Sequence, residues 1–200
     1  MLIDLSRPLF SGMPVYPGDE ALALTEEASG ARDGYTAYLL RTGLHAGTHV
    51  DAPLHMLPDG AAMAAMPLAR FCAPGVLLRD MQAVPQDEIP LGAAVLFETG
   101  MDALYGTPAY YRDHPVLSPA LCDYLIRRQA ALVGLDAPSP DHAPFPIHRR
   151  LLAAGIPILE NLTGLSALRG RSFTLLALPL PLRAEASPVR AAAWVDAAGL

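Results

Sequence analysis

Proline occupies 20 of the 200 positions in this chain. Each proline fixes its own φ, removes a backbone donor and steers the preceding residue away from the helical region. Elements should therefore be short and turns many. One helix is well marked: Ser118 can cap it, Pro119 suits its first turn, and Leu121, Leu125 and Ile126 form an apolar stripe. A second runs from about Pro146 to Ala154, with Gly155 as its stop. Short apolar or β-branched runs bounded by Gly, Pro or Asp read as strands at Thr36–Leu44, Gly75–Leu78, Ala93–Phe97, Ala131–Leu135, Ile156–Glu160, Phe173–Leu178 and Val189–Val195. Strands with interspersed helices predict an α/β fold. A chain of 200 residues without repeat or long linker suits a single domain, residues 1–200, with one real core.

The segment His45-Ala-Gly-Thr-His-Val-Asp-Ala-Pro-Leu-His55 carries the chemistry. It holds three of the six histidines and a carboxylate within eleven residues. Neutral imidazole and carboxylate are the usual ligands of zinc and related divalent ions. Gly47, Thr48, Val50 and Pro53 oppose a helix, so the segment is a strand end or a shaped loop. His45, His49, Asp51 and His55 share one parity, which aims them to one side of an extended chain. A straight strand would still part His45 from His49 by roughly 13 Å. The chain must bend between them, and Gly47 is the residue that permits it.

A second candidate pair lies downstream. Roughly seven helical residues after His148 travel out about 10 Å. A strand of four to five residues returns about 13–16 Å, which brings Glu160 level with His148 at one end of a sheet. On spacing alone the plainer reading is the better one, a helix-decorating His148 and a solvated strand end at Glu160.

Composition bounds the partners. The net charge is −6, every basic residue is Arg, and there is no basic run, so nucleic acid and anionic membrane surfaces are unexpected partners. The N-terminal residues lack the pattern of a signal peptide, and the apolar stretch Phe173–Leu182 is short and broken by Pro179 and Pro181. Cys72 and Cys122 are expected as reduced, mostly buried thiols, and the protein as cytoplasmic.

The first segment resembles the signature of the cyclase-like metal-dependent hydrolases, which include the bacterial kynurenine formamidases. Their pattern is His-x-x-x-His-x-Asp-x-Pro-x-His, and every fixed position is present. The resemblance covers nearly the whole chain, through Asp4-Leu-Ser, Val15-Tyr-Pro-Gly-Asp19, Gly134-Leu-Asp-Ala-Pro-Ser139, Ala177-Leu-Pro-Leu and Ser187-Pro-Val-Arg190. It implies a swivelling β/β/α domain with a mixed sheet and few short helices. It implies that His45, His49, Asp51 and Glu160 bind a first zinc or manganese ion, and that Asp51, His148 and Glu160 hold a second, giving one or two per subunit. His55 would stay free as the catalytic acid/base, set apart by the stiffness of Pro53. A small-molecule substrate, N-formylkynurenine in tryptophan catabolism, and a homodimer or homotetramer follow from the same resemblance. Hydrolysis or cyclisation of a cyclic amide or lactone, as in isatin hydrolases, and a catalytically silent metal- or ligand-binding homologue are the alternatives.

The chain departs from the formamidases at two positions. Tyr16 stands where they usually carry the Trp expected to stack on the substrate's aryl group, and Asn161-Leu162 stands where they tend to have Gly and a branched residue. Asp136 and Ser139 are turn-formers that also fit a pocket loop. His114 and His142 are expected to be exposed and Arg190 structural. Met63 and Met66 suit core filling or a flexible pocket wall.

Overall fold

Short elements are what the proline spacing yields in the computed structural model, which describes residues 1–195. Strands β1 (Leu2–Asp4), β2 (Ala23–Ala28), β3 (Ala37–Arg41), β4 (His49–Asp51), β5 (Cys72–Leu78), β6 (Ala94–Phe97), β7 (Leu132–Leu135), β8 (Ile158–Glu160), β9 (Phe173–Leu176), β10 (Ala186–Pro188) and β11 (Ala192–Val195) are three to seven residues long. The helices are α1 (Gly30–Asp33), α2 (Pro108–Arg112), α3 (Pro119–Arg127) and α4 (Pro146–Ala153). Both helices read from sequence are present. Ser118 Oγ accepts from Leu121 N at 3.1 Å, and Gly155 turns the chain after α4 with φ +70°.

Nine strands form one sheet in the order β1-β11-β9-β5-β6-β7-β8-β4-β10. The centre, β5 to β8, is parallel, and both flanks are antiparallel. Period-two alternation sends side chains to two cores. Val95, Phe97, Val133, Leu135 and Ile158 pack with Leu121 and Leu125 of α3 and Leu151 and Leu152 of α4. Ala94, Leu96, Leu132 and Leu159 face the other way, onto Val50, Phe71, Phe173, Leu175 and Val195, so the curled sheet closes on its own flanks. Gly134 sits where the strands press closest: a Cβ there would meet Leu96 Cδ2 at 2.5 Å. This is the expected α/β fold with a mixed sheet and few short helices.

Several elements differ from the sequence reading. The run Thr36–Leu44 does not join the main sheet. It contributes β3, which pairs only with β2 in a separate hairpin and leaves Tyr38, Leu39 and Leu40 exposed. β1, β2 and β10 carry too few residues, or too polar a pattern, to register as strands. β5 begins at Cys72 and includes Pro74, which the ladder tolerates because that stretch pairs with β9 alone. Cys72 is exposed, contrary to expectation, while Cys122 is buried; both are free thiols. Among the described residues no helix is long and apolar enough to cross a membrane.

Candidate metal centre

β4 brings His49 and Asp51 to one side because a strand of three residues alternates its faces. Val50 points into the core, and His49 and Asp51 point to the opposite side. β8 runs antiparallel beside it with Glu160 directly opposite His49, so the two side chains share a face. The bend expected at Gly47 is present, with φ +65°, and it brings the His45 and His49 rings to 4.8 Å between centroids. The positive φ is what favours glycine there; a Cβ would also lie 2.7 Å from Leu9 Cδ2, the tip of a side chain that would have to shift. Helix α4 presents His148 from its first turn, and β8 returns to put Glu160 Oε1 3.2 Å from His148 Nε2.

The distances describe one cluster. His45 Nδ1 lies 3.0 Å from Asp51 Oδ1, His49 Nε2 3.4 Å from both Asp51 Oδ1 and Glu160 Oε2, and His148 Nε2 3.8 Å from Asp51 Oδ2. Two triads have ligand atoms within 4.8 Å of one another, His49–Asp51–Glu160 and His45–Asp51–His55. His55 is thus not set apart as the sequence suggested. Pro53 opens a 3-10 turn that ends on His55, and this turn folds its ring to 4.4 Å from that of His45.

Whether these residues suit a cation is answered by their unpaired atoms. His49 Nε2, both oxygens of Asp51 and Glu160 Oε1 are buried without a hydrogen-bond partner. Buried carboxylate and imidazole atoms are ordinarily paired or bound to a metal. The outer nitrogens, in contrast, are held: His49 Nδ1 donates to Gly47 O at 2.9 Å and His148 Nδ1 to Asp141 Oδ1 at 2.6 Å. These bonds leave the Nε2 lone pairs aimed at the carboxylates, the arrangement that a metal-ligating histidine needs. Electrostatics agree. Burial alone would lower His45, but the Asp51 carboxylate overrides it and raises the imidazole to about 9. Burial would likewise lower His148, and the neighbouring Asp141 and Glu160 carboxylates raise it to about 10. Asp51 is held below the usual carboxylate range despite burial, by His45 first. Without a metal, the two buried carboxylates gather protons onto their neighbours.

The Cyclase family profile, described as "Putative cyclase", matches residues 3–87 and 78–142. The kynurenine formamidase of Geobacillus thermodenitrificans (strain NG80-2) is 32% identical over 202 residues, covering 95% of each chain. That of Salinibacter ruber (strain DSM 13855 / M31) is 34% identical over 206 residues, again covering 95% of each. The chain belongs to the cyclase family. A solved structure described as a potential metal-dependent hydrolase with cyclase activity superposes with a TM-score of 0.79 at 26% identity, covering 96% of both chains. Isatin hydrolase A from Labrenzia aggregata shares the fold, with a TM-score of 0.83 at 24% identity over 96% of this chain and 93% of that one. The cyclase-family chain is accordingly a metal-dependent hydrolase, with a His/Asp/Glu cluster able to bind a metal.

The cluster opens into a cleft of ≈ 210 Å³ walled by aromatic rings. Tyr16, Tyr105, Tyr111 and Phe145 line it, with Met56 and Pro138. Tyr16 meets Tyr111 edge to face at 5.8 Å between centroids. Ser139 reaches the cleft; Asp136 does not, and instead accepts from Thr99 N, Thr99 Oγ1 and Gly100 N. His142 is exposed as expected, but His114 is buried, with Nε2 3.2 Å from Asp141 O. Arg190 pairs with Asp4 at the surface, and Met63 fills the core with Met66 packed beside it.

Sequence reasoning missed two groups. Asp141, in the loop before α4, orients His148. Asn161 adopts φ +58°, and its side chain donates to Gly47 O at 2.9 Å and accepts from Tyr110 Oη at 2.6 Å. An Asp in a turn-rich loop ahead of a helix was a usable capping signal for the first. The second had none, because its contacts come from residues 114 and 51 positions away.

Proposed function

We propose that this hydrolase cleaves a small aryl amide, with N-formylkynurenine as substrate, and so acts as an arylformamidase. The observation that carries the reading is the aromatic-walled cleft opening directly onto the buried carboxylate and imidazole cluster. The name kynurenine formamidase borne by relatives at 32% and 34% identity over almost the full chain supports it.

In this reading His45, His49, Asp51 and Glu160 hold one divalent ion, zinc or manganese, and Asp51, His148 and Glu160 hold a second where two are bound. Such an ion lowers the pKa of water to about 7 and polarises a carbonyl oxygen. The chain's own residues do the rest. Asp51 and Glu160 bring negative charge to the centre of a cation site. Tyr16 and Tyr111 offer ring faces and edges to the aryl group, which orients the formamide toward the cluster. His55 carries the proton. Burial holds its imidazole below the usual 6.5, so the ring is neutral near pH 7 and one nitrogen can accept a proton from the attacking water. The same nitrogen then delivers that proton to the departing aryl amine. A homodimer or homotetramer is proposed with it, to be checked by light scattering of the purified protein.

The test is a comparison of initial rates on N-formylkynurenine and isatin with zinc- or manganese-reconstituted protein. The arylformamidase reading expects the larger kcat/KM on N-formylkynurenine. Preference for isatin would move the substrate to a cyclic amide, and no turnover of either with metal bound would move it to another amide, lactone or ester.

A further inference from the structure

A carboxylate that lies outside the ligand cluster is bound to it by geometry. Asp141 sits in the loop between β7 and α4, buried, with both oxygens engaged. Oδ2 accepts from Ile147 N at 2.6 Å and His148 N at 3.3 Å, the second and third residues of α4. The residue at the usual capping position, Phe145, has a left-handed backbone and no side-chain acceptor, so Asp141 caps the helix from five residues upstream. Oδ1 accepts from His148 Nδ1 at 2.6 Å. One carboxylate therefore fixes the start of the helix that carries His148 and also the rotation of the His148 ring. Asp141 is itself held: Ser139 Oγ donates to its carbonyl at 2.5 Å, and His114 Nε2 lies 3.2 Å from the same oxygen.

We propose that Asp141 is a positioning residue for the metal centre, one that locks the tautomer and direction of His148 so that Nε2 faces Glu160 and Asp51. This rests on the reading of His148 as a ligand. Imidazole ligands whose second nitrogen donates to a carboxylate are oriented and made more basic by it. Ala at this position removes both functions. Asn keeps one acceptor oxygen but turns an NH2 toward either the ring N–H or the helix N–H groups, so it satisfies one partner and opposes the other.

The measurement is zinc affinity of the purified full chain by competition with a chromogenic chelator, for wild type, Asp141→Ala, His148→Ala and the double variant. Asp141→Ala is expected to weaken zinc about 10–100-fold. The double variant should bind no more weakly than His148→Ala alone, because Asp141 acts through that ring. In ¹⁵N spectra of the zinc-loaded wild type, His148 Nδ1 should carry the proton, and that signal should be lost in Asp141→Ala. Losses that add in the double variant, or a lowered melting point with unchanged zinc affinity, would reduce Asp141 to a helix cap and overturn the proposal. Should Asp141→Ala fail to fold, Asp141→Asn takes its place in the same cycle, with a smaller loss expected and the same non-additivity required. Zinc affinity unchanged in His148→Ala would overturn the ligand role of His148 and this proposal with it. An effect of His148→Ala without one of Asp141→Ala or Asp141→Asn would overturn this proposal alone.

Discussion

Asp51 stands at the junction of both triads, within 3.0–3.8 Å of three imidazoles and with neither oxygen hydrogen-bonded. In the proposed reading it is shared by both ions, as Glu160 is. Asp51→Ala should therefore lose metal outright by elemental analysis of the purified protein, and retained stoichiometric metal would contradict the bridging role. His55→Ala should keep its metal while turnover falls about 10²–10⁴-fold, the usual worth of a proton-transfer group. Because His55 lies within ligating reach of Asp51 and His45, loss of metal in that variant would reassign it as a ligand. The cluster also sets how the metal-free protein responds to pH. His45 and His148 are raised to about 9 and about 10 in the fold from their usual 6.5. A raised base contributes stability that is complete below its unfolded value and is lost as pH climbs through the folded one. Asp51 and Glu160 are lowered, so their contribution disappears as pH falls below their usual range. The melting point of chelator-treated protein should thus decline from about pH 6.5 to pH 10, and a rise over that interval would contradict the charge assignment. Most of the cluster was legible in the sequence because four of its residues, His45, His49, Asp51 and His55, fall in one local segment, where parity and a glycine hinge decide direction. Asp141 left only a capping signal ahead of α4, and the contacts of Asn161 left none. Each acts through a loop conformation that adjacent residues do not encode.

At the scale of elements, two devices assemble the cluster. One is the turn at Gly47, which converts a separation of roughly 13 Å in a straight strand into neighbouring rings. Gly47→Ala must place a Cβ in a left-handed backbone and against Leu9, at a cost of about 1–2 kcal/mol from the backbone alone. Its melting point should drop by several degrees, and its metal affinity should fall because His45 and His49 no longer converge. Lowered stability with unchanged metal affinity would show that the turn serves packing only. The other device is the pairing of helix out and strand back from His148 to Glu160. Rise per residue alone put the two level, and the structure places them in contact. The hairpin of β2 and β3 shows where such reasoning stops. A run of β-formers announces a strand but not its partner, and here the partner is a polar strand, so the pair stands off the main sheet with its tyrosine and leucines exposed. The terminal strand β1 was silent for a related reason: three residues hold no periodicity, and only its pairing with β11 defines it.

For the whole molecule, the parallel centre of the sheet and its antiparallel flanks converge so that β4, β8 and the start of α4 deliver His49, Asp51, Glu160 and His148 to one point, beneath a cleft walled by rings from four separate places in the chain. The α/β class followed from element order, and the enzyme class from one motif. The aromatic cleft could not be read in advance, since Tyr16, Tyr105, Tyr111 and Phe145 are scattered along 130 residues and meet only in the folded chain. In the proposed function the buried cluster binds a divalent ion, and that ion is required to hydrolyse an aryl formamide in this cleft. The rate of N-formylkynurenine hydrolysis by chelator-stripped protein, before and after addition of zinc or manganese, tests it most directly. Stripped protein should show negligible turnover and recover it on metal addition, whereas full turnover by the metal-free protein would contradict a metal requirement.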